Sequence, residues 1–390
     1  MKVALIRSAV HRKGGVERYV WLLARELARR GHDVHIIARR LPEPPHPAVR
    51  FHEVRMGGVF SFLKVLLFAV RVREILRRER FDIIHSCDRI FSCDIYRAGE
   101  GLHREWLEIS SRYMPKWQTF FKRLDPLHLL LLRFEARLMK KENARRVTAI
   151  SRRGAEEIQR HFGREDVPII YNGVDPEEFR PPEGSEKENV RGELDIPDDA
   201  FVVLYVGSGF FRKGLRYLVE GFSRLGEEGR PPLLVVAGRG SALPYERLAN
   251  SLGVAERVRF CGTEIPASRL YHSADVFVFP TLYEPFGNVC LEALASGLPC
   301  VFSSKSGGAE IVKDGESGLV LNEPTDVDEI ARLIRICMDE EKAASLGRAA
   351  RALALKFSVT ANADHTEAIY REVAAEKNRE QGETAAAEGR

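Results

Sequence analysis

Residues 276–299 read VFVFPTLYEPFGNVCLEALASGLP, and this stretch decides the fold class. It begins with four apolar residues, which are typical of a strand covered on both faces. A loop containing Glu284 and Gly287 follows. A helix is predicted to begin near Asn288 and to end at the Gly-Leu-Pro sequence. A buried strand, a glycine-containing loop and a helix in this order predict one unit of a parallel sheet.

The same pattern recurs along the chain. The ten strand candidates are residues 3–6, 34–38, 82–85, 147–150, 202–206, 233–237, 258–261, 276–279, 300–302 and 318–321. Amphipathic stretches separate them, and the first one places Val16, Val20 and Leu27 on one apolar stripe before Gly31. This alternation predicts a doubly wound α/β protein.

The strand pattern restarts near residue 201 after a polar, Pro-rich stretch. We therefore predict two Rossmann-like domains that face each other across a cleft. The predicted boundaries are 1–170 for the N-terminal domain, 171–360 for the C-terminal domain, 361–376 for a helix that packs back on the N-terminal domain, and 377–390 for a disordered tail. Ligands of such sheets bind beyond the carboxyl ends of the strands, so the cleft is the expected site.

Composition and charge narrow the class of protein. The chain has 390 residues, of which 44% are hydrophobic and 30% charged, which argues against a disordered chain and an integral membrane protein. Residues 1–150 hold 31 Lys and Arg against 16 Asp and Glu, a charge of +15, whereas the remainder holds 29 against 40, a charge of −11. The basic half predicts an anionic partner, such as nucleic acid, a phosphorylated acceptor or a membrane, or else a solvated basic face.

The first ten residues and the cysteines indicate the compartment. MKVALIRSAV enters a strand pattern at once, so we expect no signal peptide and a cytoplasmic protein. The six cysteines contain no CxxC and fit reduced thiols.

Three motifs could hold a phosphorylated ligand. Gly14-Gly15 follows the first strand and opens a helix, although it is not GxGxxG and would also suit an ordinary turn. Arg212-Lys213 follows another strand in a glycine-rich loop, where the two cations can neutralise a diphosphate. In the third motif, the helix start near Asn288 offers amides to phosphate.

Two carboxylates belong to that third motif. Glu292 lies one turn into the predicted helix, within reach of a vicinal diol, and Glu284 on the loop can accept hydrogen bonds from sugar hydroxyls. A glycosidase acid and base pair is the rival interpretation, but their loop and helix positions beside a phosphate site argue against it.

These motifs resemble the retaining glycosyltransferases of family 4, which have the GT-B fold. Asn172-Gly-Val-Asp175 resembles the hinge of that family, and the similarity covers about residues 1–375. Residues 94–103, DIYRAGEGLH, and 110–113, SSRY, are similar to the lipopolysaccharide core glucosyltransferases within it.

The resemblance implies roles for individual residues. The donor-binding residues would be Gly14, Gly15, Arg212, Lys213, Glu284, Phe286, Gly287, Asn288, Val289 and Glu292. Arg212 and Lys213 would hold the diphosphate, and Glu292 the ribose, while Glu284 would contact the hexose. Glu100 and His103 would line the reacting side, and which of them matters more stays open.

The resemblance also implies an activity. It is retaining transfer of glucose from UDP-glucose to a lipid-linked acceptor, such as a lipopolysaccharide core heptose, with no cofactor. We expect no metal, because Asp326-Val-Asp328 precedes a predicted helix and the histidines show no ligand spacing. The alternatives are another family 4 transferase (a phospholipid mannosyl- or N-acetylglucosaminyltransferase), a non-hydrolysing sugar-nucleotide epimerase, and a non-enzymatic module that binds anionic lipid. No nucleic-acid motif is present, so we expect no nucleic-acid partner.

A membrane contact would explain the basic half. Residues 112–146 carry ten Lys and Arg against three acidic residues, and aromatic residues recur there at helical spacing. The predicted membrane residues are Arg112, Tyr113, Lys116, Trp117, Phe120, Phe121, Lys122 and Arg123. The alternative is a helix that packs on its own domain, which is the interpretation that we favour for residues 127–139. We expect a peripheral protein on the inner face of the cytoplasmic membrane.

Overall fold

The computed structural model describes residues 1–12, 14–57, 60–226 and 229–388, without the side chains of Arg123 and of residues 384–388. The chain divides into two compact units. The first unit is Met1–Asn172 with Val359–Arg390, and the second unit is Gly173–Ser358. Each unit contains a six-stranded parallel sheet with helices packed against it, which confirms the α/β fold class.

The strands of the first unit are β1 (Lys2–Ile6), β2 (Asp33–Ala38), β3 (Arg50–Glu53), β4 (Ile83–Ser86), β5 (Cys93–Arg97) and β6 (Ala144–Thr148). Its helices are α1 (Val16–Arg29), α2 (Ser61–Arg78), α3 (His103–Arg112), α4 (Lys116–Leu124), α5 (Pro126–Leu138), α6 (Arg152–Phe162) and the last helix, α14 (Val359–Glu388). The sheet order is β3-β2-β1-β4-β5-β6. Apolar cores cover both faces of this sheet.

The strands of the second unit are β7 (Phe201–Val206), β8 (Pro232–Ala237), β9 (Val258–Gly262), β10 (Val276–Phe279), β11 (Cys300–Ser303) and β12 (Leu319–Leu321). Its helices are α7 (Glu186–Glu193), α8 (Leu215–Phe222), α9 (Leu243–Ser251), α10 (Ala267–Ser273), α11 (Asn288–Ala295), α12 (Val327–Met338) and α13 (Glu340–Ala354). The sheet order is β12-β11-β10-β7-β8-β9. In both sheets the chain order reverses beside a central strand, where ligands of doubly wound proteins bind.

The end of the chain differs from the sequence prediction. α14 continues to Glu388 rather than becoming disordered at residue 377. Polar contacts explain the extension: Lys377 Nζ lies 2.9 Å from Asp94 Oδ2, and both carboxylate oxygens of Glu380 accept hydrogen bonds from Arg145 at 2.7 Å. The predicted disorder over residues 377–388 is therefore wrong, and residues 389–390 lie outside the described chain.

Two smaller predictions are confirmed. All six cysteines are free thiols, and five of them are buried. Asp326 directly precedes α12 and caps it, because its Oδ1 accepts a hydrogen bond from the Glu329 N–H at 2.9 Å, so it has the helix-start role expected of it. Within the part of the chain that is described, every helix is too short or too polar to cross a bilayer.

Candidate active site

The loop after β10 is fixed on both sides of Glu284. The backbone N–H of Glu284 donates to Lys305 O at 3.1 Å, and its carbonyl oxygen accepts from the Gly307 N–H at 3.0 Å. Gly287 ends the loop with φ +87°, a conformation that favours glycine, and α11 begins at Asn288. The predicted strand, loop and helix are confirmed, and they hold Glu284 at the carboxyl end of a central strand.

Glu284 lies beside the two predicted phosphate-binding cations. Its Oε2 is 3.2 Å from Lys213 Nζ and 3.4 Å from Arg212 Nη2. Burial would raise the pKa of Glu284, but the charges of Lys213 and Arg212 lower it below its ordinary value. One ionised carboxylate therefore shares two cations, and the cluster keeps a net positive charge that can bind a diphosphate.

A glycine fixes where these cations lie. Gly214 has φ +71°, and a Cβ at this position would come 1.9 Å from the carbonyl oxygen of Pro280. The close approach lets the Leu282 N–H donate to Arg212 O at 2.9 Å, which ties the loop after β7 to the loop after β10. Lys213 also lies over the Phe279 ring, 5.0 Å from its centroid. Backbone packing therefore positions both cations beside Glu284.

Glu292 is buried one turn into α11 and is held by a tyrosine that the sequence analysis missed. Tyr271 Oη donates to Glu292 Oε2 at 3.1 Å and approaches Val289 O at 3.3 Å. Tyr271 is fully buried on α10, and burial followed by the Glu292 charge raises its pKa, so it remains a donor. Its sequence context, LYHS, gave no signal for this role.

The remaining predicted donor residues divide into two groups. Asn288 and Val289 form the first turn of α11, where the sequence analysis placed them. The Phe286 ring is fully buried, and its carbonyl oxygen accepts from the Gly308 N–H at 2.8 Å. The Phe286 ring therefore packs in the core, and the predicted donor contact of Phe286 stays a prediction.

In the first unit, Glu100 belongs to a network of charges at the carboxyl edge of the sheet. Arg7 follows β1 and pairs with Glu100 at 2.8 Å, Asp88 at 2.9 Å and Glu17 at 2.7 Å. Burial would raise the pKa of Glu100, but Arg7 and Arg89 lower it to about 2. Glu100 therefore stays ionised and is a poor general base at neutral pH. The sequence analysis did not name Arg7, although an arginine directly after a buried strand is a signal that could have identified it.

His103 begins α3 and is neutral at physiological pH. Its Nε2 lies 2.9 Å from His128 Nδ1, and burial followed by the charge of Arg89 lowers its pKa to about 4. The buried Glu135 accepts from the His103 N–H at 2.7 Å and from the Arg104 N–H at 3.1 Å. This carboxylate fixes the helix start, and the role of His103 toward a substrate stays a prediction.

Gly14 and Gly15 lie between β1 and α1, as predicted. Gly14 has φ +99°, which favours glycine, and Gly15 directly precedes α1. Glu17, in the first turn of that helix, pairs with Arg7. The local charge at this helix start is therefore partly balanced within the chain, and the role of the two glycines toward a ligand stays a prediction. Lys13 lies outside the described residues.

The predicted membrane residues belong to two helices rather than one. Arg112 ends α3, Tyr113 follows it, and α4 begins at Lys116, because Pro115 lacks the N–H that a continuous helix needs. On α4, Trp117, Phe120 and Phe121 are 63%, 60% and 65% exposed. Lys116 is exposed and Lys122 is half-buried, while the Arg123 side chain is not among those described. The aromatic side chains therefore face away from the core of their own unit.

Comparison with known proteins identifies the family of the chain. A family model described as Glycosyltransferase Family 4 matches residues 13–178, and one described as Glycosyl transferases group 1 matches residues 186–353. A glycosyltransferase of Methanocaldococcus jannaschii is 30% identical over 83% of this chain and 83% of its own length. The alpha-D-kanosaminyltransferase of Streptomyces kanamyceticus is 30% identical over 88% of this chain and 91% of its own.

A solved structure gives the same result for the fold. The crystal structure of WaaG, a glycosyltransferase involved in lipopolysaccharide biosynthesis, superposes with a TM-score of 0.82 over 94% of this chain and 99% of that one, at 22% identity. Fold and sequence together define a glycosyltransferase of the GT-B type. The chain belongs to glycosyltransferase family 4, as its motifs indicated.

Proposed function

We propose that the chain transfers glucose from UDP-glucose to a lipid-linked saccharide, such as a lipopolysaccharide core heptose, with retention at the sugar carbon and without a metal ion. The observation that carries the proposal is the pairing of Arg212 and Lys213 with Glu284 beside the start of α11. Two cations and a helix start offer a diphosphate its ligands, and a carboxylate is present for sugar hydroxyls.

The chemistry follows from where charge develops. The bond from the sugar carbon to the β-phosphate oxygen breaks, and the diphosphate leaves with the electron pair. The acceptor hydroxyl oxygen forms the new bond to that carbon, and the departing phosphate takes the hydroxyl proton. Arg212 and Lys213 stabilise the charge on the leaving group as it grows. Because Glu100 has a pKa of about 2, it does not compete with the phosphate as a base.

Relatives support the choice of donor and acceptor. The lipopolysaccharide glucosyltransferase WaaG of Escherichia coli is 24% identical over 83% of this chain and 85% of its own. HepE of Anabaena, whose crystal structure in complex with UDP-glucose has a TM-score of 0.73, is 18% identical over 95% of this chain. The name of the first relative supports glucosyl transfer to lipopolysaccharide, and the complex of the second supports UDP-glucose as the donor.

A panel of nucleoside diphosphate sugars tests the proposal. Release of UDP, measured with and without lipid-linked core saccharides, is expected only with UDP-glucose and acceptor together, and EDTA should leave it intact. Sugar-nucleotide conversion without acceptor would indicate an epimerase instead. Loss of turnover in EDTA that manganese restores would overturn the metal-free mechanism.

We also propose that α4 contacts the anionic inner face of the cytoplasmic membrane. Trp117, Phe120 and Phe121 expose apolar surface next to Lys116, in a half of the chain with a charge of +15. Each basic residue near an anionic surface contributes about 1 kcal/mol, and aromatic side chains suit the interface. This charge and exposed apolar area would together give reversible docking.

Co-sedimentation with phosphatidylglycerol vesicles tests the membrane contact. Wild type should bind at low salt and keep a weaker, salt-resistant fraction, whereas a Trp117→Ala/Phe120→Ala/Phe121→Ala variant should lose that fraction. Leu243→Ala, at an exposed apolar position of the second unit, is the matched control. Equal binding by the triple variant, or none by wild type, would overturn the proposal.

A further inference from the structure

Two histidines and a glutamate converge within the first unit, outside the residues discussed so far. His35 is the third residue of β2, His52 is the third residue of β3, and Glu79 directly follows α2. His35 Nδ1 lies 2.7 Å from His52 Nε2. Glu79 approaches from the other side, with Oε1 3.6 Å from His35 Nδ1 and Oε2 3.5 Å from His52 Nε2. Two ring nitrogens and the carboxylate of Glu79 therefore offer one potential ligand atom from each of three residues, and these atoms lie within 4.8 Å of one another.

His35 is an unusual residue for its strand. Its neighbours Val34 and Ile36 are apolar, and the His35 side chain is itself only 1% exposed. Its second ring nitrogen, Nε2, is buried and has no hydrogen-bond partner among the described residues, although Asp33 Oδ1 lies 3.2 Å away. A histidine that binds a metal usually has a carboxylate near its other ring nitrogen. The carboxylate keeps the proton on that nitrogen and leaves the first nitrogen free to bind the ion.

We propose that His35 Nδ1, His52 Nε2 and Glu79 Oε2 bind a divalent transition metal ion of the zinc type. Ligand atoms about 2.0–2.1 Å from a tetrahedral zinc ion lie about 3.3–3.4 Å apart. One separation within this set, 3.5 Å between His52 Nε2 and Glu79 Oε2, is already close to that value. The two histidine nitrogens, which are 2.7 Å apart, must separate by roughly 0.6 Å on the same geometry.

The ligand set selects the class of metal. Two imidazoles and one carboxylate suit zinc and its transition-metal neighbours, whereas magnesium and calcium prefer oxygen ligands. Lys2 Nζ lies 2.8 Å from Glu79 Oε1, the oxygen not assigned to the metal, and so orients the carboxylate. The side chains of His52 and Glu79 are 25% and 28% exposed, so a water molecule can fill the fourth position.

A second group is a poorer candidate and serves as a comparison. Glu105, Glu108 and His161 also lie close together. However, Arg160 and His161 both bind Oε2 of Glu105, at 2.6 and 2.7 Å, and Glu108 is exposed. The arginine therefore occupies the same Glu105 oxygen that contacts His161, whereas Lys2 binds the Glu79 oxygen that is not assigned to the metal. Among the described residues, the His35 group is therefore the better ligand set.

The sequence analysis could not find this site, because its ligands come from two strands and a helix end that are far apart in the chain. An ion there would join β2, the edge strand β3 and the end of α2. Its effect would be on the stability of the first unit, and it is independent of the donor and acceptor proposed above.

Isothermal titration with Zn²⁺ on the full chain, after chelator treatment, tests the proposal. Wild type should bind one ion, and Co²⁺ in its place should give the visible absorption of a tetrahedral site. His52→Gln and Glu79→Gln should each weaken binding at least about tenfold. Zn²⁺ should also raise the unfolding midpoint of wild type, because an ion that binds only the folded state stabilises it. Glu108→Gln should leave all three readings unchanged.

Two other outcomes would overturn the proposal. Loss of binding in Glu108→Gln alone would place the ion at the Glu105 group. Equal binding by every variant would mean adventitious binding only. Circular dichroism confirms that the variants are folded, which is expected because His52 and Glu79 are partly exposed.

Discussion

At the residue scale, Arg212 and Lys213 should act mainly on the transition state. The leaving diphosphate gains charge as its bond to the sugar breaks, so Arg212→Ala and Lys213→Ala should each lower kcat by about 100-fold or more, with a smaller change in KM. Steady-state kinetics measures the split. Arg216→Ala, an exposed arginine paired with Glu220, is the control. A rise in KM with kcat unchanged would show that both cations contribute only to binding of the substrate in its ground state.

Glu292 and Tyr271 should act on donor affinity. Glu292→Ala removes a charged hydrogen-bond acceptor, which costs about 1.5–3 kcal/mol, a loss of roughly 10- to 150-fold in donor binding. Tyr271→Phe leaves the carboxylate but removes its 3.1 Å donor, so a smaller loss of about 2- to 12-fold is expected. Calorimetry with the donor measures both. If affinity is the same in Glu292→Ala as in wild type, the ribose assignment fails.

The residues that sequence reasoning found and missed differ in a physical way. Arg212, Lys213 and Glu284 stand in loops after strands, so the topology alone brings them to one edge of a sheet. Tyr271 lies inside a helix, and its role depends on packing between α10 and α11, which local sequence does not encode. Glu135 was missed because long-range contacts have no sequence spacing, whereas Arg7 could have been noticed from its place directly after β1.

At the scale of elements, the loop after β7 depends on Gly214. Gly209→Ala and Gly214→Ala both place a Cβ at positive φ, +78° and +71°, which costs about 1–2 kcal/mol. Gly209 has open space, whereas a Cβ at Gly214 would meet Pro280 O, so Gly214→Ala should cost about 1–3 kcal/mol more. Urea denaturation compares them, and equal losses would show that the contact between the two loops is not close.

Strands were predictable where burial on both faces makes them apolar. β10 reads VFVF and was found from sequence, but β3 reads RFHE because it is an exposed edge strand. β5 reads CDIYR and is buried, yet Asp94 and Arg97 interrupt its apolar run. Asp94 is tolerated there because it accepts from the Ile84 N–H at 2.8 Å and pairs with Lys377, contacts that form only once the chain has folded.

At the scale of the whole molecule, buried histidines make the first unit sensitive to acid. His85 is fully buried and bonds Tyr370 Oη through Nδ1 at 2.6 Å. Burial, followed by the charge of Arg97, lowers its pKa to about 3, against an ordinary value of 6.5. The unfolded chain therefore takes up this proton more readily than the folded chain. The resulting stability is complete above about pH 6.5 and falls as the pH falls toward 3.

Tryptophan fluorescence can follow that loss in the first unit alone, because Trp21, Trp106 and Trp117 all belong to it. Between pH 7 and pH 5, His85 by itself should cost the folded state about 2 kcal/mol, which corresponds to a fall of roughly 4–8 °C in the unfolding midpoint. His85→Asn keeps a polar group beside Tyr370 but cannot titrate in this range, so its midpoint should start lower and change less with pH. A variant whose midpoint falls as steeply as that of wild type would show that other groups control the acid response.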